Sequence, residues 1–172
     1  MDAILQTVGN LLPYHLLSYG ALLGTELYQS FVNTRLCYRH LPTREFLLFN
    51  KHVFPTYFTC QIGLAALTAA TRPPYSVLSL ATDLWSAAPL VIVVAMGSLN
   101  YYAFGPRTFR ASWLRSIVQD TEKRGPRMEE KLQNANRGFS RNHAMSIHLN
   151  AIALVATVWY GFSLSHTLIN GL

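Results

Sequence analysis

Apolar residues fall in four long runs along this chain, at 12–34, 54–71, 84–105 and 145–170, separated by shorter polar stretches. At 1.5 Å rise per residue each run is long enough to cross a hydrocarbon layer of ~30 Å as a helix. The alternative, a water-soluble bundle of buried helices, would break its apolar runs after ~10–14 residues and return a charged face to solvent. The stretch SAAPLVIVVAMGSLNYYAFG, residues 86–105, holds no charged residue. The pattern therefore predicts an all-α fold: a four-transmembrane-helix bundle forming a single membrane domain over 1–172, in the lipid bilayer.

Turn-forming and capping residues mark the boundaries. Pro13 suits the opening turn of the first helix, LPTREF (41–46) a connection, and Pro55 the first turn of the second helix, where a missing N–H costs nothing. TRPPYS (71–76) makes the second connection, and Thr82 or Asp83 can cap the third helix, in which Pro89 should produce a kink. The third connection, 106–141, is long. Within it Phe109, Trp113 and Ile117 recur every four residues among Arg107, Arg110, Arg115 and Lys123. That spacing predicts an amphipathic helix on the membrane surface, its basic groups near anionic lipid headgroups, ended by Gly125 and Pro126. RMEEKLQNANRG, which follows, reads as a short solvated helix or a mobile stretch.

Composition supports the membrane assignment and charge orients it. The 172 residues are 51% hydrophobic and 13% charged, against ~25% charge in ordinary soluble domains. The net charge of +6 does not indicate nucleic acid, because of where the basic residues lie. Arg35, Arg39, Arg44 and Lys51 flank the first connection, nine Lys/Arg fall between 107 and 141, and Arg72 alone lies elsewhere. Connections one and three share a side in a four-span topology, so the positive-inside rule makes that side cytosolic and both termini luminal or extracellular. Asp2 precedes the first run without a cationic region, which points to a retained helix rather than a cleaved signal. Cys37 and Cys60 form no disulfide framework and read as plain thiols.

Polar residues inside the apolar runs are the candidate chemistry. His15, Tyr19, Glu26, Gln29, Ser30 and Asn33 share one face of the first helix at 100° per residue. A carboxylate near mid-segment must face protein or a water cavity, where it either stays protonated or meets a cation. Counted from the cytosolic end at ~1.5 Å per residue, Glu26 lies about 12 Å deep, Gln61 about 10 Å, Asn100 about 8 Å and Asn150 about 9 Å. Each helix thus offers one carboxylate or amide at similar depth. His143, Ser146 and Asn150 share a face of the fourth helix, whereas His148 points away. Arg107, leaving the third helix after Gly105-Pro106, could cover the mouth of the cluster. The competing reading is interhelical hydrogen bonding without a ligand, with Gly20 and Gly24 as a small-residue helix contact that could also serve a homo-oligomer or a partner membrane protein. No metal site is predicted: His143 and His148, five apart, face different ways, and His15 and His166 belong to the opposite side. No cofactor is predicted either, with haem or a metal left open.

His15 with Gly24 and Glu26, RHLPTREF, KHVFPTYF, Asp83, Asn100 with GPRT at 105–108, and finally His143, Ser146 and Asn150 together resemble the transmembrane protein 205 family. The likeness runs along nearly the whole chain and is most specific at Pro-Arg-Thr and His-x-x-Ser-x-x-x-Asn. It implies a small four-span protein in an endomembrane or the plasma membrane of a eukaryote, and it implies no particular reaction. Three functions remain for the polar cluster and its surroundings. They are handling of a small solute or ion, organisation of a membrane assembly through the helix at 107–123, and cofactor-free oxidation of an apolar aromatic substrate by a Glu/His/Asn/Arg set.

Overall fold

The computed structural model describes residues 7–121 and 126–171, and among them every regular element is helical. Helix α1 (Leu11–Leu27) runs through a π-helical turn, Tyr28–Asn33, into α2 (Thr34–His40). Helix α3 covers Thr43–Ala70, and α4 is the short Val77–Ala81. Helix α5 (Leu84–Leu99) passes through a second π turn, Asn100–Phe104, into α6 (Gly105–Thr121), and α7 spans Pro126–Ile169. Asp2, Lys123 and Gly125 lie outside the described residues.

Three helical runs, Thr43–Ala70, Leu84–Val118 and Arg127–Ile169, are long and apolar enough to cross a membrane. The first run, α1, is a 17-residue α-helix before its π turn. Asn10 caps it by accepting from the Leu12 amide at 2.9 Å. We refer to the end of the bundle carrying residues 71–83 as the turn end, and to the end rich in Lys and Arg as the basic end.

The boundaries differ from expectation in three places, each for a local reason. Only Leu41 and Pro42 separate α2 from α3, so Thr43, Arg44 and Glu45 form the first turn of α3 and place an acid near its positive end. Pro55 consequently sits inside α3 rather than at its start. The hydroxyls of Thr56 and Thr59 return hydrogen bonds to the carbonyls of His52 and Pro55, both at 2.9 Å. The cap of α5 is Asp83, whose carboxylate accepts from the Ser86 amide at 3.2 Å.

The third difference concerns the connection 106–141. Its amphipathic helix is present as α6, but α6 continues from α5 through the π turn and packs against α7 and α3. Ser112 and Val118 are buried there, while Leu114 and Ile117 stay 52% and 44% exposed. Phe109 stacks on Trp113 with centroids 6.2 Å apart, and the Lys51 ammonium lies over Phe109 at 5.7 Å. Arg110 and Arg115 are exposed. RMEEKLQNANRG is part of α7 itself, which explains why no separate short helix forms.

Inside the bundle, α1, α3, α5 and α7 are stacked in layers. A polar layer at the turn end includes His15, Thr68, Ser86, Tyr160 and Ser163, all buried. Below it Leu22, Ala65, Val93 and Ala156 form an apolar layer, one residue from each helix. Glu26, Gln61 and Gly97 follow one turn further toward the basic end, and Asn100 about two turns further.

Candidate functional site

Glu26 is fully buried on α1, and the Gln61 side-chain amide of α3 donates to its Oε1 at 2.7 Å. Gln61 Nε2 also lies 3.5 Å from the Tyr57 hydroxyl, one turn along α3. That hydroxyl donates to Asn150 Oδ1 on α7 at 2.7 Å, and Asn150 Nδ2 donates to Ser30 Oγ in the first π turn at 2.8 Å. Glu26, Gln61, Tyr57, Asn150 and Ser30 therefore form one chain of polar groups across three helices. Asn100, fully buried at the start of the second π turn, donates to the Ser146 carbonyl at 3.2 Å, so Ser146 takes part through its backbone.

This network is incomplete. Glu26 Oε2, Gln61 Oε1, Asn100 Oδ1 and Thr157 Oγ1 are buried without a hydrogen-bond partner. Asn50 Oδ1, Thr108 Oγ1 and Trp159 Nε1 share that condition at other heights of the bundle. Gln61 and Asn100 could not improve matters by flipping. Each has committed its NH₂ to a group that only accepts, a carboxylate and a carbonyl, which leaves the amide oxygen facing away. Buried polar atoms are nearly always paired, so several unpaired acceptors in one region call for an explanation.

Both π turns border this region. A π turn widens the helix and re-aims side chains, and such turns concentrate at functional sites. At the first, Thr34 Oγ1 donates to the Gln29 carbonyl at 3.0 Å, and Asn33 Nδ2 donates to Gln29 Oε1 at 2.8 Å. Gln29 is thus occupied with its own turn rather than with Glu26. At the second, the Gly105 amide donates to the Asn100 carbonyl. A Cβ at position 105 would stand 2.7 Å from that oxygen, so the turn requires glycine there.

Other residues expected in the cluster stand apart from it. Arg107 is exposed, with its guanidinium over the Phe104 ring at 5.8 Å. His143 is exposed and stacks on Phe139 at 5.0 Å. Gly20 and Gly24 face open space, with no other described residue within 4 Å of where a Cβ would stand. A groove of about 420 Å³ between α1 and α3 is lined by Gln29, Tyr57, Thr25 and Cys60 among others, so it reaches the edge of the network at Tyr57. Among the described residues no three His, Cys, Asp or Glu side chains come together to hold a metal.

A second polar network, at the turn end, was not legible in the sequence. His15 Nδ1 lies 2.9 Å from the Thr68 carbonyl, which only accepts, so His15 donates there and its Nε2 accepts from the Tyr160 hydroxyl at 2.9 Å. Arg72 Nη1 donates to the same Tyr160 oxygen at 3.1 Å, and its Nη2 pairs with Asp83 Oδ2 at 3.1 Å. The Ser86 and Ser163 hydroxyls are 2.6 Å apart. The hydrogen bonds to Ser86 and the neighbouring Arg72 hold the Asp83 carboxyl below its ordinary range. Every member of this network has a partner, and it ties the turn ends of α1, α3, α5 and α7 together. Three signals were available in the sequence: Arg72 away from the other basic residues, Asp83 as a cap and His15 inside an apolar run. Tyr160, which joins them, looks like any aromatic residue of the last run.

A helical protein of membrane type, with one satisfied polar network and one open polar site inside the bundle, is the class this fold and site define. Within that class, the chain belongs to the family described as a domain of unknown function, DUF4149, which matches residues 17–115. It is also similar to xanthocillin biosynthesis cluster protein D of Aspergillus fumigatus, at 58% identity over 172 residues and the full length of both chains. No solved structure matches.

Proposed function

We propose that this protein is a four-span membrane component of small-molecule biosynthesis that binds a small polar solute or ion at the Glu26 site. The observation that carries the reading is the contrast between the two networks. The turn-end network is saturated and acts as a clamp, whereas the Glu26 region keeps several buried acceptors free. An unpaired buried polar atom costs ~1–3 kcal/mol, a cost that a bound solute would offset.

The relative's name associates that protein with xanthocillin biosynthesis, and full-length identity of 58% supports a related role here. Continuity of helix from Leu11 to His40 supports a fourth span beside the three long ones. The likeness to the transmembrane protein 205 family supports the same topology. With the basic end cytosolic, the Glu26 site lies nearer the cytosol and both termini face the lumen or exterior.

Uptake of metabolites from an extract of producing cells into proteoliposomes, followed by mass spectrometry, tests this function. Wild type should accumulate a defined small solute that Glu26→Gln does not. Identical uptake profiles for the two proteins would remove the site from solute handling.

A second reading, a membrane-organising subunit, is favoured by the exposed Leu114 and Ile117 on α6. Replacing both with Gln should then abolish co-purification of a membrane partner, while Glu26→Gln should not. The oxidative alternative gains nothing from the turn-end network, because His15 and Tyr160 are fully buried and mutually bonded.

A further inference from the structure

The chemistry of the free atoms narrows the ligand. Resting on the reading that the Glu26 region is a binding site, we propose that it holds a small monovalent cation of sodium size. Glu26 Oε2 is the anchor, with Thr157 Oγ1 and Gln61 Oε1 as neutral oxygen ligands and Asn100 Oδ1 at the start of the second π turn.

Three observations on this structure lead there. First, the free atoms are all oxygens, and the two amide oxygens are forced acceptors because their NH₂ groups are already committed. Such a set is dominated by acceptors, one of them a carboxylate, and the Thr157 hydroxyl can turn its lone pairs to an ion, so it suits a cation better than an anion. Hard cations take carboxylate, amide-carbonyl and hydroxyl oxygens as ligands. Second, Glu26 has no ion-pair partner among the described residues. The titratable groups within electrostatic reach are the phenols of Tyr19 on α1 and Tyr57 on α3. From α7 comes Thr157, whose hydroxyl stands beside the carboxylate, and from the end of α5 and the second π turn the uncharged stretch 97–100. One negative charge among neutral oxygens fits one positive charge and leaves a divalent ion undercompensated. Third, the space is small. A Cβ at Gly97 would lie 2.9 Å from Gln61 Oε1 and 3.1 Å from Ile62 Cγ1, so α5 and α3 pack closely where the ion would sit.

The cation neutralises the Glu26 carboxylate, so the occupied site carries no net charge. The apolar layer of Leu22, Ala65, Val93 and Ala156 closes the site toward the turn end. The cation therefore arrives from the basic end, along the side where Tyr57 and Asn150 are placed.

Equilibrium binding of ²²Na⁺ to the purified full-length protein in detergent tests the proposal. The expected result is one saturable site per chain, lost in Glu26→Gln and weakened about tenfold in Thr157→Val, the scale on which metal sites respond to loss of a supporting group. Thr157→Val removes one hydroxyl and keeps the shape of the side chain, so it keeps the fold testable. Binding should weaken as the pH is lowered, because the proton competes with the cation for the carboxylate. Ammonium and potassium, added as competitors, separate a size-selective ion site from a general cation site. No saturable sodium binding, or binding unchanged in Glu26→Gln, overturns the proposal. Metabolite uptake that persists without sodium binding would do the same while leaving the solute function standing. Sodium binding without metabolite uptake would support the cation site and overturn the metabolite half of that function, leaving an ion as its solute.

Discussion

Gln61 reaches across from α3 to Glu26 on α1 and donates to one carboxyl oxygen at 2.7 Å, leaving the other oxygen buried and without a partner. Half of this carboxylate is thus structural and half is free. The two halves respond to different substitutions. Glu26→Gln keeps an acceptor for Gln61 and should change unfolding stability by less than ~1 kcal/mol, whereas Glu26→Ala strands the Gln61 amide and opens a cavity. The alanine variant should lose ~2–4 kcal/mol in denaturant unfolding in detergent, combining the unpaired donor with the missing volume. Equal stability of the two variants would show that the pair does not hold α1 to α3.

Thr157 and Tyr160 lie one turn apart on α7 and are both fully buried, but only Tyr160 has its hydroxyl bonded. Tyr160→Phe strands His15 Nε2 and Arg72 Nη1 together and should lower stability by ~1–3 kcal/mol. Thr157→Val removes an unpaired hydroxyl and should leave thermal unfolding unchanged or slightly raised. A comparable loss in both variants would contradict the division into a saturated and an open network.

Gly105 is required by the π turn, since a Cβ there would meet the Asn100 carbonyl at 2.7 Å. Gly105→Ala must therefore shift the turn or strain it, and should destabilise by ~1–3 kcal/mol. Gly20→Ala and Gly24→Ala meet open space and should be neutral, or gain up to ~1 kcal/mol from helix propensity. Melting temperatures of the three variants, measured in the same detergent, check this ordering.

Asp83 gives the turn end a defined pH response. Its folded pKa is lowered from the ordinary 3.8, chiefly by hydrogen bonding to Ser86 and further by Arg72. A lowered carboxyl contributes stability that is fully present above the unfolded value and is lost as pH falls through the folded one. Stability should accordingly hold from neutrality down to about pH 4 and decline below it. In Asp83→Asn this part of the acid decline should be absent, with lower stability at neutral pH. Acid titration of the unfolding midpoint for both proteins decides the matter, and parallel curves would exclude Asp83 as a source.

The helical class, three of the four expected apolar spans and the polar face of α1 were legible because each is local: periodicity and run length need no neighbour. His15, Glu26 and Gln29 share that face by spacing alone, and burial follows from it. The depth match between Glu26 and Gln61 was legible as well, because antiparallel helices with short connections bring equal depths together. Asn150 and Asn100 lie at that level too, but their partners are Tyr57, Ser30 and the Ser146 carbonyl rather than Glu26. Arg107 and His143 were assigned toward the cluster on position alone, and nearby aromatic rings hold their side chains outside it.

The tertiary structure decided what spacing cannot encode. Joining His15, Tyr160, Arg72 and Asp83 needs four chain segments up to 145 residues apart to meet at one end of the bundle. Which hydrogen bonds remain unmade is likewise a property of the packed bundle, because a polar atom is free only relative to neighbours that the fold brings or withholds. The sequence by itself determined that Glu26 would be buried. Only the packing of α3, α5 and α7 around it decided that one of its oxygens would be left free.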